Sequence, residues 1–317
     1  LVDGWSFGIR PEIIQKNINK AKKNGAEVVV LLSHNGFDVD QKLASILNDV
    51  DVILTGHTHD AIPRAIKIKN TLLLSSGSHG KYLGRIDLKI DNGKVVDFSS
   101  NLIPIFSDVI QPDPEMTRLI DKIREPYEEE CNRVVGKAET LLYRRGNFGG
   151  PWDSVICDAI IQERDTEISL SPGFRWGTTL LPGQKITIDD IYSQTSMNYP
   201  EVYRTEMNGE TIKNLLEDVC DNIFNPDPFF QQGGDMVRVG GMTYTCQPKN
   251  TMGNRISDLK LSNGEKIESQ KNYTIGGWGS INPEVEGPPI YKLLEDYVSG
   301  EKIIKPKHKN PVTIKGI

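Results

Sequence analysis

Leu31-Leu32-Ser33-His34-Asn35-Gly36 and Ile53-Leu54-Thr55-Gly56-His57-Thr58-His59-Asp60 are the two stretches that decide the fold. Each is the end of a short apolar run that breaks into a polar turn with a glycine. The first run, Glu27 to Leu32, is rich in valine and suits a buried strand; the second covers Asp51 to Leu54. Between them Val39 to Asn48 reads as a helix. Upstream, Pro11 opens a helical stretch that Gly25 closes. Strand–helix–strand alternation of this kind builds a sheet with helices on its faces, and ligands bind at the carboxyl ends of its strands. Both histidine turns stand at such ends. Further strands are expected near Ile66, from Leu72 to Ser75 and from Leu83 to Ile90, the last closing in the turn Asp91-Asn92-Gly93.

Past Ile105 the pattern changes. Pro112 and Pro114 punctuate it, and a charged helical stretch from Glu115 to Glu130 follows, with a kink expected at Pro126. Its charges suit a solvated face. The organisation expected is therefore a first domain over 1–104, a linker built on a helix over 105–134, and a second domain over 135–317. In the second domain, Trp152 to Ile161 carries apolar residues at helical spacing, and Gly209 to Phe224 is an amphipathic helix. Ile168 to Leu170, Asp235 to Cys246 and Asn272 to Gly277 read as strands.

A chain of 317 residues can bury two cores. Its 43 acidic residues outnumber 37 basic ones, for a net charge of −6. That balance speaks against a general nucleic-acid binder but leaves room for an anionic substrate in a locally positive pocket. No apolar run approaches the length of a membrane span. No signal peptide precedes Asp3-Gly4-Trp5, and the absence of an initiator methionine reads as a processed or partial product. Cys131, Cys157, Cys220 and Cys246 form no C-x-x-C pair, so a zinc ribbon or redox motif is not indicated.

Two histidines two residues apart on a turn can aim imidazoles at two neighbouring ions, which in two-metal sites sit roughly 3.5–4 Å apart. Gly56 lets the backbone bend sharply after its strand, and a parallel sheet would bring His34 alongside His57 and His59. Three neutral imidazoles cannot complete such a site; hydrolytic ions also need carboxylates, one of them bridging. Asp38 and Asp60 are close in sequence but not at strand ends. The remaining ligands are therefore expected before Leu1, and the chain by itself is expected to be inactive or nearly so.

Ser33-His34-Asn35-Gly36 and Gly56-His57-Thr58-His59 resemble the last two metal motifs of the calcineurin-like metallophosphoesterases, whose earlier motifs are absent here. The second domain after a linker helix resembles the 5′-nucleotidase branch of that family. Within the branch, several stretches look like the thiosulfohydrolases of the bacterial Sox system. They are Gly4-Trp5-Ser6-Phe7-Gly8-Ile9-Arg10, Tyr143-Arg144-Arg145-Gly146-Asn147-Phe148, Ser171-Pro172-Gly173-Phe174-Arg175-Trp176-Gly177, and the run from Gln232 to Cys246. The fold this resemblance implies is α/β: a partial metallophosphoesterase αββα sandwich, then a 5′-nucleotidase-type C-terminal α/β domain. It implies His34 and His57 on one ion and His59 on the other. It also implies two manganese ions (the ligand types would accept zinc or iron), a periplasmic location, and hydrolysis that releases sulfate from a cysteine S-thiosulfonate. The substrate would be carried on the flexible arm of a Sox YZ-type sulfur carrier protein, with no nucleic acid or membrane partner.

Arg175, between Pro172-Gly173 and Trp176-Gly177, is the candidate anion clamp, because a planar guanidinium suits a tetrahedral oxyanion. The residues alone equally suit an arginine that staples its loop to a carboxylate; the resemblance favours the clamp. Trp176 is a candidate cleft wall, as is Trp278, though large aromatics more often belong to cores. Of Arg144 and Arg145, at most one is expected to reach the substrate. Gln232, Gly233 and Gly234 would allow close approach of a ligand or carrier arm, or simply form a turn. His79 is not expected to be a ligand, and His308 is expected to be solvated. Two other functions remain open at this level: a periplasmic 5′-nucleotidase or related phosphoesterase, and a non-catalytic binding module. Phe229 and Phe230, directly adjacent, do not make a convincing sandwich for a nucleobase.

Overall fold

The computed structural model describes residues 3–280, 284–307 and 311–316, so His308 lies outside the described residues. It resolves into two compact units that are not contiguous in sequence. The first holds Leu1–Thr117 together with Asn225–Gly233; the second holds Arg118–Phe224 and Gly234–Ile317.

In the first unit the order is α1 (Pro11–Lys23), β1 (Val30–Ser33), α2 (Phe37–Ile46), β2 (Val52–Thr55), β3 (Ile66–Ile68), β4 (Thr71–Ser75), β5 (Tyr82–Asp91) and β6 (Lys94–Pro104). The sheet runs β1-β2-β4-β3. Its first three strands are parallel, with Ser33 opposite Thr55 and Thr55 opposite Ser75, and β3 returns antiparallel. This register aligns the carboxyl ends of β1, β2 and β4, from which the loops of His34, of His57 and His59, and of His79 emerge. Ile18, Val39, Leu43, Leu47, Ile53 and Leu73 form the core, and Phe229 from the returning segment packs against it. On β1, Val30 and Leu32 remain exposed. The β5–β6 ribbon pairs only with itself among the described residues.

The boundary between the units falls inside α3 (Pro114–Arg124), a helix with no buried residue. The expected single kinked helix is in fact broken. Pro126 sits in a 3₁₀ turn, Glu125–Tyr127, which separates α3 from α4 (Glu128–Cys131), because proline cannot donate to the helical ladder.

The second unit continues with β7 (Val134–Ala138), α5 (Pro151–Arg164), β8 (Ile168–Ser171), β9 (Lys185–Thr187), α6 (Ile188–Thr195), β10 (Tyr203–Asn208) and α7 (Gly209–Phe224). Then come β11 (Arg238–Gly240), β12 (Met242–Cys246), β13 (Ile256–Leu261), β14 (Asn272–Gly277), α8 (Ile290–Glu301), β15 (Ile303–Ile304) and β16 (Val312–Ile314). Their sheets have the orders β10-β14-β8-β11, β13-β12-β16 and β15-β7-β9. The strand expected over Asp235 to Cys246 is two. Gly241, at φ +73°, turns the chain between them, so β11 pairs with β8 while β12 pairs with β13 and β16. Trp152, Ile156 and Ile160 of α5 lie in one core with Leu294 and Val298 of α8. Leu216 and Cys220 of α7 lie in the other with Tyr244 and Tyr273.

Candidate functional site

The two histidine turns of the first unit are built into each other. The backbone N–H of Phe37 donates to Thr58 Oγ1 at 3.1 Å. Gly36 stands at φ +102°, and a Cβ there would press on Thr58 Cγ2. A Cβ on Gly56 would reach His34 Nδ1 at 3.0 Å, so glycine at 56 is what allows the turns to close on one another. As a result the rings of His34 and His57 meet edge to face, 5.2 Å between centroids. In the same unit Asp40 is fully buried and accepts a 2.7 Å bond from Ser33 Oγ. Burial pushes its carboxyl above the usual carboxylate range, with bonds from Ser33, Thr55 and Asn35 pulling the other way.

His57 and His59 both adopt positive φ, 79° and 60°, a region that L residues other than glycine rarely occupy. Such strain is held only where the surroundings impose it, and it concentrates at functional sites. For His57 the restraint is visible. Its Nε2 lies 3.0 Å from the carbonyl oxygen of Gln232. A carbonyl only accepts, so Nε2 carries the proton and Nδ1 is left as the lone-pair nitrogen. A ligating imidazole is commonly oriented in this way, by a carbonyl on its other nitrogen. Gly233 follows at φ +73°, and any Cβ there would collide with His57 Nε2. The same segment is anchored by Asp227, 2.5 Å from Lys42 Nζ, while Lys42 Nζ stands 4.0 Å over the Phe229 ring. Gln232 and Gly233 thus pack directly against the His57 ring.

The ring of His59 meets that of His79 edge to face at 5.8 Å. The ring contacts join His34 to His57 and His59 to His79. Among the described residues no group of three or more His, Cys, Asp and Glu side chains gathers at a point able to hold a metal ion. The imidazole pair and the fixed tautomer of His57 fit one borderline divalent cation. The donor set of a two-ion centre is not complete in the described residues.

The arginines of the second unit form a buried ionic network. Arg175 donates through Nε to Asp235 Oδ1 at 2.7 Å and through Nη2 to the Gly234 carbonyl at 3.1 Å, and its side chain stays 22% exposed. The loop staple is present, and it fixes the guanidinium of a side chain that is not fully buried. Asp235 also accepts from Arg238 Nη2 at 2.9 Å. Burial pushes the Asp235 carboxyl up, against the pull of both arginines.

Arg144 does not have the role expected of it. It is buried, with Nε on Asp153 Oδ1 at 2.7 Å, Nη1 on the Gln194 carbonyl and Nη2 on the Pro172 carbonyl. Each nitrogen is committed to holding three chain segments together, so none is turned to a ligand. Trp176 stacks on Phe174, 3.7 Å between centroids. Trp278 is core, 4% exposed, with Nε1 donating to Ser171 Oγ at 2.8 Å. Sequence reasoning missed Asp153, Asp235 and Arg238, since nothing local marks them as partners, and missed the docking of Asp227 on Lys42.

Residues 134–279 match the family of the 5′-nucleotidase C-terminal domain. The structure is similar over its whole length to the sulfate thiohydrolase SoxB of Thermus thermophilus, with a TM-score of 0.94 and 32% identity, covering 60% of that chain. It is similar in fold to a 5′-nucleotidase precursor from the same species, with a TM-score of 0.79 and 18% identity, covering 98% of this chain and 68% of that one. In sequence it is 26% identical over 253 residues to the trifunctional nucleotide phosphoesterase protein YfkN of Bacillus subtilis (strain 168), covering 75% of this chain and 17% of that protein. The chain therefore spans about a sixth of that curated relative's length and 60% of the SoxB chain. No helix among the described residues is long and apolar enough to cross a membrane. The chain is a mixed α/β protein that carries, over residues 134–279, a 5′-nucleotidase C-terminal domain.

Proposed function

We propose that this chain is part of a hydrolase of the nucleotidase and metallophosphoesterase kind, and that its reaction is release of sulfate from a cysteine S-thiosulfonate borne on a Sox YZ-type carrier protein in the periplasm. The observation that carries the proposal is the likeness to the Thermus sulfate thiohydrolase SoxB across every part of this chain, at 32% identity. The histidine turns support the same reading. His34 and His57 would hold one ion and His59 another, manganese being the metal we propose. Two such ions would supply Lewis acidity and a nucleophile at neutral pH. Their carboxylate ligands would come from polypeptide outside these 317 residues, in keeping with the exposed apolar Val30 and Leu32 on the edge strand of the first unit.

Each residue here has a definable task. The Gln232 carbonyl keeps His57 in one tautomer. Asp235 holds the Arg175 guanidinium in a fixed plane, and that guanidinium would meet the sulfonate. A sulfonate is permanently charged, so its recognition rests on fixed positive charge rather than on proton transfer.

The 5′-nucleotidase C-terminal domain family favours a second reading, hydrolysis of a nucleotide. Against it, Phe174 and Trp176 stack directly on each other and leave no gap for a base between them. Phe229 packs on the core of the first unit under Lys42. The decisive experiment uses the longest polypeptide the gene encodes, loaded with manganese. It is offered a carrier peptide bearing a cysteine S-thiosulfonate and, separately, nucleoside monophosphates. Sulfate release that His57→Ala abolishes is expected. Phosphate release from nucleotides, with none of sulfate from the peptide, would refute the proposal and leave the nucleotidase standing.

A further inference from the structure

In the second unit, a cavity of about 230 Å³ lies at the start of α5, lined by Tyr143, Phe148, Gly149, Asp153, Ser154 and Arg238 among others. That is several times the ~30 Å³ share of a water molecule. Arg238 is 2% exposed. Its Nη2 is satisfied, donating to the Gly146 carbonyl at 3.0 Å and to Asp235 Oδ2 at 2.9 Å. Its Nε and Nη1 have no hydrogen-bond partner among the described residues. Nε stands 3.5 Å from Asp153 Oδ2, an ion pair without a hydrogen bond. That oxygen already accepts from the Gly150 backbone N–H at 2.8 Å, and the other from Arg144.

The charges point the same way. Each carboxylate that Arg238 meets among the described residues is shared with another arginine, Asp153 with Arg144 and Asp235 with Arg175. The buried charge of Arg238 is therefore only partly matched, and a buried charge is costly unless paired and hydrogen-bonded. A guanidinium cannot relieve the cost by losing its proton. The two donors without partners belong to the arginine that lines the cavity. The amino end of the fourteen-residue α5 adds its dipole there, which favours a negative group.

We propose that this cavity is a binding site for a small tetrahedral oxyanion, sulfate or phosphate, held by Nε and Nη1 of Arg238 at the amino end of α5. Gly149 lines the cavity at φ +130°, a backbone conformation that L side chains rarely adopt, and a Cβ there would stand in ordinary contact with Arg238 Cδ at 3.6 Å. Through Asp235 the occupied site would brace the carboxylate that also fixes Arg175. The site does not depend on the hydrolase reading, and its test reads binding only.

The test uses the purified 317-residue chain, titrated with sodium sulfate and with sodium phosphate at ionic strength held constant by sodium chloride. Heat of binding and melting temperature are both recorded. Saturable binding with a rise in melting temperature is expected for the wild type. Arg238→Lys keeps the charge but loses the planar donors, and should weaken binding on the order of tenfold or more. Ser154→Met fills the cavity while removing none of the hydrogen bonds of the arginine network, so it should stay folded by circular dichroism and lose the response. A folded Ser154→Met that binds sulfate as tightly as the wild type would overturn the proposal. So would a wild-type chain that responds to sulfate and phosphate no more than to chloride.

Discussion

Replacing Gly233 by alanine tests how the histidine turn is held. Two costs combine at this position. The backbone stands at φ +73°, where an L side chain costs about 1–2 kcal/mol. The new Cβ would also overlap His57 Nε2, which must then leave the Gln232 carbonyl it meets at 3.0 Å. Loss of that bond adds about 0.5–1.5 kcal/mol. The sum is about 1.5–3.5 kcal/mol against folding of the first unit. Gly234→Ala, at the first residue of the second unit's last segment, is the control for backbone strain alone. It has a similar φ, +83°, but nothing within 4 Å of its Cβ, so only the backbone cost applies. Urea unfolding of the two variants should separate them by about the value of the hydrogen bond and the displaced ring. Nitrogen NMR of the His57 imidazole should find the proton on Nε2 in the wild type and in Gly234→Ala, and a tautomer mixture in Gly233→Ala. Equal stability of the two variants, with His57 unchanged in both, would refute the idea that the 225–233 segment positions this histidine.

Burial sets two more outcomes. Arg144→Met strips a buried carboxylate and two carbonyls of their donor and should cost about 3–5 kcal/mol in the second unit, read from the urea midpoint; a cost under about 1 kcal/mol would mean that the network is solvated. In the native chain at neutral pH a disulfide reagent should modify one thiol quickly, the half-buried Cys131. Cys157, pushed up to about 12 by burial, stays protonated below that pH and inert, and Cys220 and Cys246 face each other inside a core at 3.6 Å. A second fast thiol would contradict that packing.

Much of the first unit was legible because its signals are local. Pro11 and Gly25 bracket α1 to within two residues, and the valine-rich run leads straight into β1. Both histidine turns stand where strand periodicity stops. The α/β class with a 5′-nucleotidase-type second domain likewise came from motifs that are continuous in sequence. The errors arose where neighbours along the chain were taken as guides to neighbours in space. Arg144 sits in a conspicuous Arg-Arg pair, yet its position two residues from Leu142, itself fully buried, turns it inward to Asp153.

What the sequence by itself determined is the set of elements and the chemistry at their ends, since apolar period, proline and glycine act within a few residues. The tertiary structure decided which partners those ends receive. Lys42 meets Asp227 and His57 meets Gln232 across separations of 185 and 175 residues, and Arg175 meets Asp235 across 60. Nothing in local propensity encodes such pairs, because the desolvation cost that makes a buried charge seek its partner exists only once the chain has closed around it.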